Sequence, residues 1–161
     1  MAKSKQSRVA PKAVKKGAPA ADNRRARHEF HILESLEAGI ALTGTEVKSI
    51  RAGGISLNQA YARLRDGEMW LMGMHIPSYK QGSFSNVEPD RPRKLLLHKE
   101  QIARIGGRAA EKGLTIVPLR LYFTRGKAKV EIGLARGKKL WDKRADTAKR
   151  DVEREIARHS R

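Results

Sequence analysis

Apolar and polar residues alternate through most of the middle of this chain, the period of a strand with one buried face. A spacing of three to four interrupts that alternation where helices are expected. In RHEFHILESLEAGIAL, Phe30, Ile32 and Leu36 alternate in part, with Glu37-Ala38-Gly39 as a turn or bulge, which predicts one strand or a hairpin of two. Thr43 then precedes Glu46 by the spacing of a capping box, and Val47 and Ile50 share a face ahead of Gly53-Gly54, so a short helix follows directly. Ala60, Ala62 and Leu64 answer Met69, Leu71 and Gly73 across Asp66-Gly67, a pair of residues that tolerate positive φ, and this predicts a hairpin.

Residues 77–93 hold three prolines among Gly, Ser and Asn and read as a long surface loop. After it the apolar triplet Leu95 to Leu97 leads into helical spacing through Ile102 and Ile105, with Gly106-Gly107 dividing that helix from a second short turn ending at Gly113. Leu119, Leu121 and Phe123 then alternate against Val130, Ile132 and Leu134 around Arg125-Gly126, with Pro118 marking an edge or bulge. About six strands and three short helices predict a mainly β fold, an antiparallel β-barrel of the oligonucleotide-binding (OB) type with flanking helices.

The two ends obey neither period. Residues 1–22 mix Lys, Ala, Pro and Ser, and residues 137–161 carry only a thin apolar stripe, so neither can bury enough area to offset the entropy of ordering. The expected plan is a disordered basic arm over 1–22, an RNA-binding barrel over 23–136, and a basic C-terminal tail over 137–161 that is disordered when free. Charge sharpens this plan. The chain of 161 residues has 35 Lys and Arg against 17 Asp and Glu, a formal net charge of +18, which calls for a polyanionic partner, nucleic acid first. A membrane surface attracts the same charge, but the chain has no run of about 18 apolar residues and no apolar signal segment at its start. The expectation is a cytoplasmic monomer without a membrane partner. No cysteine is present, and the five histidines lack ligand spacing, so neither a metal nor a cofactor is expected. No nucleophile has a positioned base, and GTEVKS lacks the spacing of a phosphate-cradling loop, so the chain is not expected to be an enzyme.

Several clusters are suited to RNA. In NRRARH, Arg24, Arg25 and His28 would neutralise phosphates while Asn23 bonds a sugar or a base edge; a solvated basic linker fits the charge equally. Glu37 is either a turn carboxylate facing solvent or an acceptor for a base edge or a ribose hydroxyl. Glu46 reads as a helix cap, and Lys48 as a surface lysine able to touch phosphate. Arg93 and Lys94 beside Leu96 would form a phosphate clamp next to an apolar contact. Because neighbouring side chains in a strand point to opposite faces, Leu96 is expected to differ from Leu95 and Leu97.

In the tail, a helix from about Ala145 aligns Ala145, Ala148, Val152 and Ile156. Asp146 with Arg150, Asp151 with Arg154 and Glu155 with Arg158 stand at pairing distance along it. Such pairs contribute about 0.2–0.5 kcal/mol each, too little to hold a lone helix, so the tail should order on a partner. Trp141, flanked by Lys138, Lys139, Asp142, Lys143 and Arg144, would stack on a base inside a phosphate clamp, or else dock on the barrel.

The segments NRRARHEF, EAGIALTGTEVKSIRAG, PRKLLLH and GKKLWDKR, in this order, resemble the small protein B family, the SsrA-binding proteins of bacterial trans-translation, over roughly residues 22–150. The resemblance implies an OB-type barrel that binds the tRNA-like domain of transfer-messenger RNA and delivers it to ribosomes stalled without a stop codon. Carried over by position, the RNA-contacting set falls on Asn23, Glu37 and Leu96, with the neighbouring basic residues in support. The tail motif falls on Asp142, Lys143 and Arg144; in the family the tail occupies the ribosomal decoding centre and the empty mRNA channel and becomes helical there. The family often has His or Tyr where this chain has Trp141.

Overall fold

A computed structural model of the chain describes residues 20–82 and 85–160. The expected arm therefore lies outside the described residues as far as residue 19. In chain order the elements are β1 (Ala21–Asp22), α1 (Arg24–Glu29), β2 (Phe30–Ile40), α2 (Gly44–Arg51), β3 (Tyr61–Arg65), β4 (Glu68–Met72), β5 (Arg93–Leu96), α3 (Lys99–Lys112), β6 (Thr115–Thr124), β7 (Lys127–Gly137) and α4 (Leu140–His159). All strand pairings are antiparallel, and they run in the order β1-β6-β3-β4-β5-β2-β7 with β7 returning to β6, which closes an OB-type barrel.

Both predicted hairpins form, each on two residues with positive φ: Asp66 and Gly67 at 50° and 75°, Arg125 and Gly126 at 52° and 75°. The capping box of α2 is also present, with the Glu46 N–H donating to Thr43 Oγ1 and the Thr43 N–H donating to Glu46 Oε1. The partial alternation around Phe30 has a single cause. β2 is one strand, and its bulge falls between Ile32 and Glu34 rather than at Glu37-Ala38-Gly39. The extra residue changes the phase of the strand. Ile32 packs outside the barrel in a small cluster with Ala26, Val117, Leu119 and Ala135, while Leu36, Ala38 and Ile40 face the main core. The irregularity expected at Pro118 does the same in β6, putting Leu119 in the outer cluster and Leu121 in the inner one.

Four further expectations are corrected. Residues 24–29, assigned no helix from the pattern, form α1, because Asn23 caps it by accepting the Ala26 N–H at 3.1 Å. The barrel begins before residue 23: the Ala20 N–H donates to the Leu121 carbonyl at 2.8 Å, and Ala21 pairs with Leu121. It also ends one residue later than expected, since Gly137 pairs with Phe30. Helix α3 runs unbroken through Gly106-Gly107, where the missing side chain has a packing reason: a Cβ on Gly106 would lie 3.3 Å from Leu64 Cδ2.

The long loop before β5 is tied down by a buried arginine. Arg93 is fully buried; its guanidinium donates to the carbonyls of Met74 at 2.7 Å, Pro89 at 2.9 Å and Arg91 at 3.1 Å, and to the Glu46 carboxylate. Arg91 donates to the same carboxylate. Burial alone would raise the Glu46 pKa, but the hydrogen bonds from Arg91, the Thr43 N–H and Arg93 outweigh it and hold the group below its ordinary value.

Candidate nucleic-acid interface

Strand register assembles one outer surface from four strands. Tyr122 of β6 pairs with Lys129 of β7, Lys129 with Gly39 of β2, and Gly39 with Leu96 of β5, so these four residues form a row across the barrel. One step along, Arg120 pairs with Glu131, and Glu131 with Glu37. At the centre of the row Gly39 presents no side chain. A Cβ there would come within 3.1 Å of Leu96 Cβ, so glycine both admits Leu96 and leaves an open floor. The result is a groove of about 620 Å³ whose lining includes Glu37, Gly39, Lys94, Leu96, Lys99 and Lys129.

Leu96 is 53% exposed while Leu95 is 1% exposed, the split expected from strand alternation. Lys94 reaches Glu68 at 2.7 Å and stays half exposed. The buried Tyr122 hydroxyl donates to Glu37 Oε2, which fixes that carboxylate on the groove wall. Burial, with the hydrogen bond to Glu37 adding to it, pushes the Tyr122 pKa well above its ordinary value, so the hydroxyl remains a donor at any physiological pH. A carboxylate acceptor, an exposed aliphatic side chain and three lysines around a glycine floor can hold a splayed nucleotide: base or ribose donors on Glu37, an apolar face on Leu96, phosphates on the lysines.

The structure gathers Glu37, Lys94 and Leu96 from the expected set and separates the others. Asn23 is turned inward and 2% exposed; its Nδ2 donates to the Leu57 carbonyl at 3.1 Å and the Pro118 carbonyl at 2.8 Å, so in this structure its amide is engaged within the fold. Arg93 likewise leaves the phosphate clamp, because strand alternation puts it on the side of Leu95 and the core. Arg24 and Arg25 are exposed on α1, with Arg25 paired to Glu29 at 3.0 Å, and His28 is half-buried beside them. Lys48, on α2, sits 5.8 Å over the Tyr79 ring. Tyr122, Gly39, Lys99 and Lys129 were missed, and cross-strand register is the signal that would have found three of them.

Among the described residues, the polar contacts that anchor the tail lie near its root. The Lys138 N–H donates to the Glu29 carbonyl at 2.8 Å, and its ammonium bonds the Arg27 carbonyl at 3.2 Å and the Asp146 carboxylate. His31 Nε2 lies 3.4 Å from Asp142 Oδ2. These contacts start α4 at Leu140, earlier than Ala145, and draw Asp146 away from the expected partner Arg150 to Lys138, whose hydrogen bond lowers its pKa. Asp151 and Arg154 do pair, at 3.8 Å. No residue of α4 is buried, and Trp141 is 67% exposed, so the indole is not docked on the barrel. Lys139 and Arg144 are also exposed, with Lys143 half-buried.

The family described as "SmpB protein" matches residues 20–161. The chain belongs to the SmpB family. Among its SmpB-family relatives, the SsrA-binding protein of Desulforudis audaxviator (strain MP104C) is 59% identical over 139 residues, covering 86% of this chain and 91% of that protein. The SsrA-binding protein of Salinispora tropica (strain CNB-440) is 62% identical over 138 residues, covering 86% and 87%. A solved chain described as "tmRNA-SmpB: a journey to the center of the bacterial ribosome" is 56% identical and superposes with a TM-score of 0.65 over 76% of this chain and 87% of that one.

Proposed function

We propose that this SmpB-family chain is an RNA-binding adaptor that holds the tRNA-like domain of transfer-messenger RNA and delivers it to stalled ribosomes for trans-translation. The relatives are SsrA-binding proteins, and the similar solved chain is that of tmRNA-SmpB and the bacterial ribosome. The observation that carries the reading is the groove that brings Glu37, Lys94 and Leu96 together with Lys99 and Lys129. Its donors and acceptors match an unstacked nucleotide, and the net charge of +18 supplies long-range attraction for the rest of the RNA. The protein works in the cytoplasm, where ribosomes are, and needs no reaction of its own.

The tail has a separate task. Lys139, Trp141 and Arg144 are exposed and Lys143 half-buried at the start of a helix whose remaining turns touch nothing in the core. We place them in the decoding centre and the vacant mRNA channel, where cations meet ribosomal phosphates and the indole stacks on a base. Away from that channel the outer turns have little to hold them helical.

A gel shift with the isolated tRNA-like domain tests the groove. Glu37→Gln keeps an acceptor for the Tyr122 hydroxyl and removes the charge. It should weaken binding by about ten- to a hundredfold, the worth of a charge-assisted hydrogen bond, with the thermal midpoint nearly unchanged. Equal affinity of variant and parent would refute the assignment.

A further inference from the structure

The groove does not end at Glu37. Beyond it, Glu37 and Lys129 also line a second depression of about 300 Å³ whose other walls are Thr124, Arg125 and Lys127 of the β6–β7 hairpin. Two features of this depression bear on what it could hold. The first is Thr124, whose Oγ1 is buried without a hydrogen-bond partner among the described residues, a deficit that folded proteins seldom leave unfilled. The second is Arg125, a non-glycine residue held at φ 52°. The β3–β4 hairpin meets the same demand with Asp66 at φ 50°, a residue type that tolerates the left-handed region; arginine is poorly suited to it. The turn requires positive φ at this position but not arginine, so the choice of residue points to a role for its side chain.

We propose that this depression is a backbone-phosphate subsite for the RNA strand that occupies the Leu96 groove. A phosphodiester seated here accepts charge-assisted hydrogen bonds from Arg125 and Lys127 and, once the Thr124 side chain turns its buried Oγ1 toward the depression, a hydrogen bond from that orphan hydroxyl. Lys129 and Glu37, shared by both depressions, set the polarity of the strand: the carboxylate repels the phosphate toward the hairpin end and receives the donors of the adjoining nucleoside. The inference rests on the function proposed above, since it extends the same binding surface by one contact.

The test is binding of the isolated tRNA-like RNA to the full chain over a range of salt concentrations, with Arg125→Asn, Thr124→Val and Glu37→Gln. Arg125→Asn suits the turn better than the native residue, so its thermal midpoint should hold or rise while affinity falls about tenfold and the slope of log K against log salt shrinks by about 0.7–0.9. Thr124→Val removes an unsatisfied hydroxyl and should lose affinity severalfold without losing stability. Native affinity and slope in Arg125→Asn, with Glu37→Gln still impaired, would remove the subsite and keep the groove. No binding by the parent chain would remove both. A parallel ribosome-binding arm separates the source of the phosphate: variants that bind the RNA normally but fail on ribosomes would mean that the phosphate is ribosomal, and the proposal would be wrong.

Discussion

Glu46→Gln is expected to destabilise the barrel by about 3–5 kcal/mol, the usual consequence of removing one member of a buried ion pair. Glu46 is 3% exposed and Arg93 fully buried, and the carboxylate is the counter-charge for both Arg93 and Arg91. Without it Arg93 keeps its three carbonyl acceptors and loses the carboxylate it is hydrogen-bonded to, while α2 loses an ionised cap. Denaturant titration measures the loss. Glu46→Gln combined with Arg93→Met should recover part of it, because the unpaired charge is then gone. The same pair sets an acid limit. The Glu46 pKa lies below its ordinary value of 4.5, so its contribution is fully present above that pH and disappears as the pH falls through the lowered value. The parent should therefore lose stability below about pH 4.5 more steeply than Glu46→Gln. Parallel acid profiles for the two proteins would show that the pair contributes nothing.

Ending the chain after Lys138 should abolish rescue of stalled ribosomes and leave affinity for the tRNA-like RNA within about twofold, a change too small to register one lost phosphate contact. No residue of α4 is buried, and the polar contacts joining it to the globule come from its first two turns, so the cut removes no core. Lys138 itself is retained because its N–H closes onto the Glu29 carbonyl at the end of β7. Trans-translation on ribosomes stalled at an mRNA end, assayed beside the gel shift, separates the two tasks. Normal rescue by the shortened chain would assign the tail no part in it.

Period and turn chemistry made the hairpins, the α2 cap and the inward-outward split of Leu95 and Leu96 legible in the sequence, because each is decided by residues close to one another along the chain. Features decided at a distance were not. The bulge in β2 depends on which face of β7 each residue meets, and the sequence shows only a blurred alternation there. Asn23 illustrates the same limit in the candidate site. Beside three basic residues it reads as an RNA contact, yet its amide joins α1 to two carbonyls, of Leu57 and Pro118, that only the fold brings near. Arg93 was open to a better reading: the alternation that sends Leu96 outward sends Arg93 inward. What obscured it was the expectation that arginine is solvated, and the partner that reverses this, Glu46, lies in a different element. Tyr122 and Lys129 carried no local mark, since their place beside Glu37 follows from the β6–β7–β2 register.

The most direct measurement of whether the barrel face holds the RNA while the helix stays free is an amide NMR titration of the full chain with the isolated tRNA-like domain. The expected result is that the signals of Gly39, Leu96 and Lys129 move first and together while those of residues 147–159 stay in place. First movement in α4, or on α3 away from the groove with Gly39 and Leu96 unmoved, would contradict it.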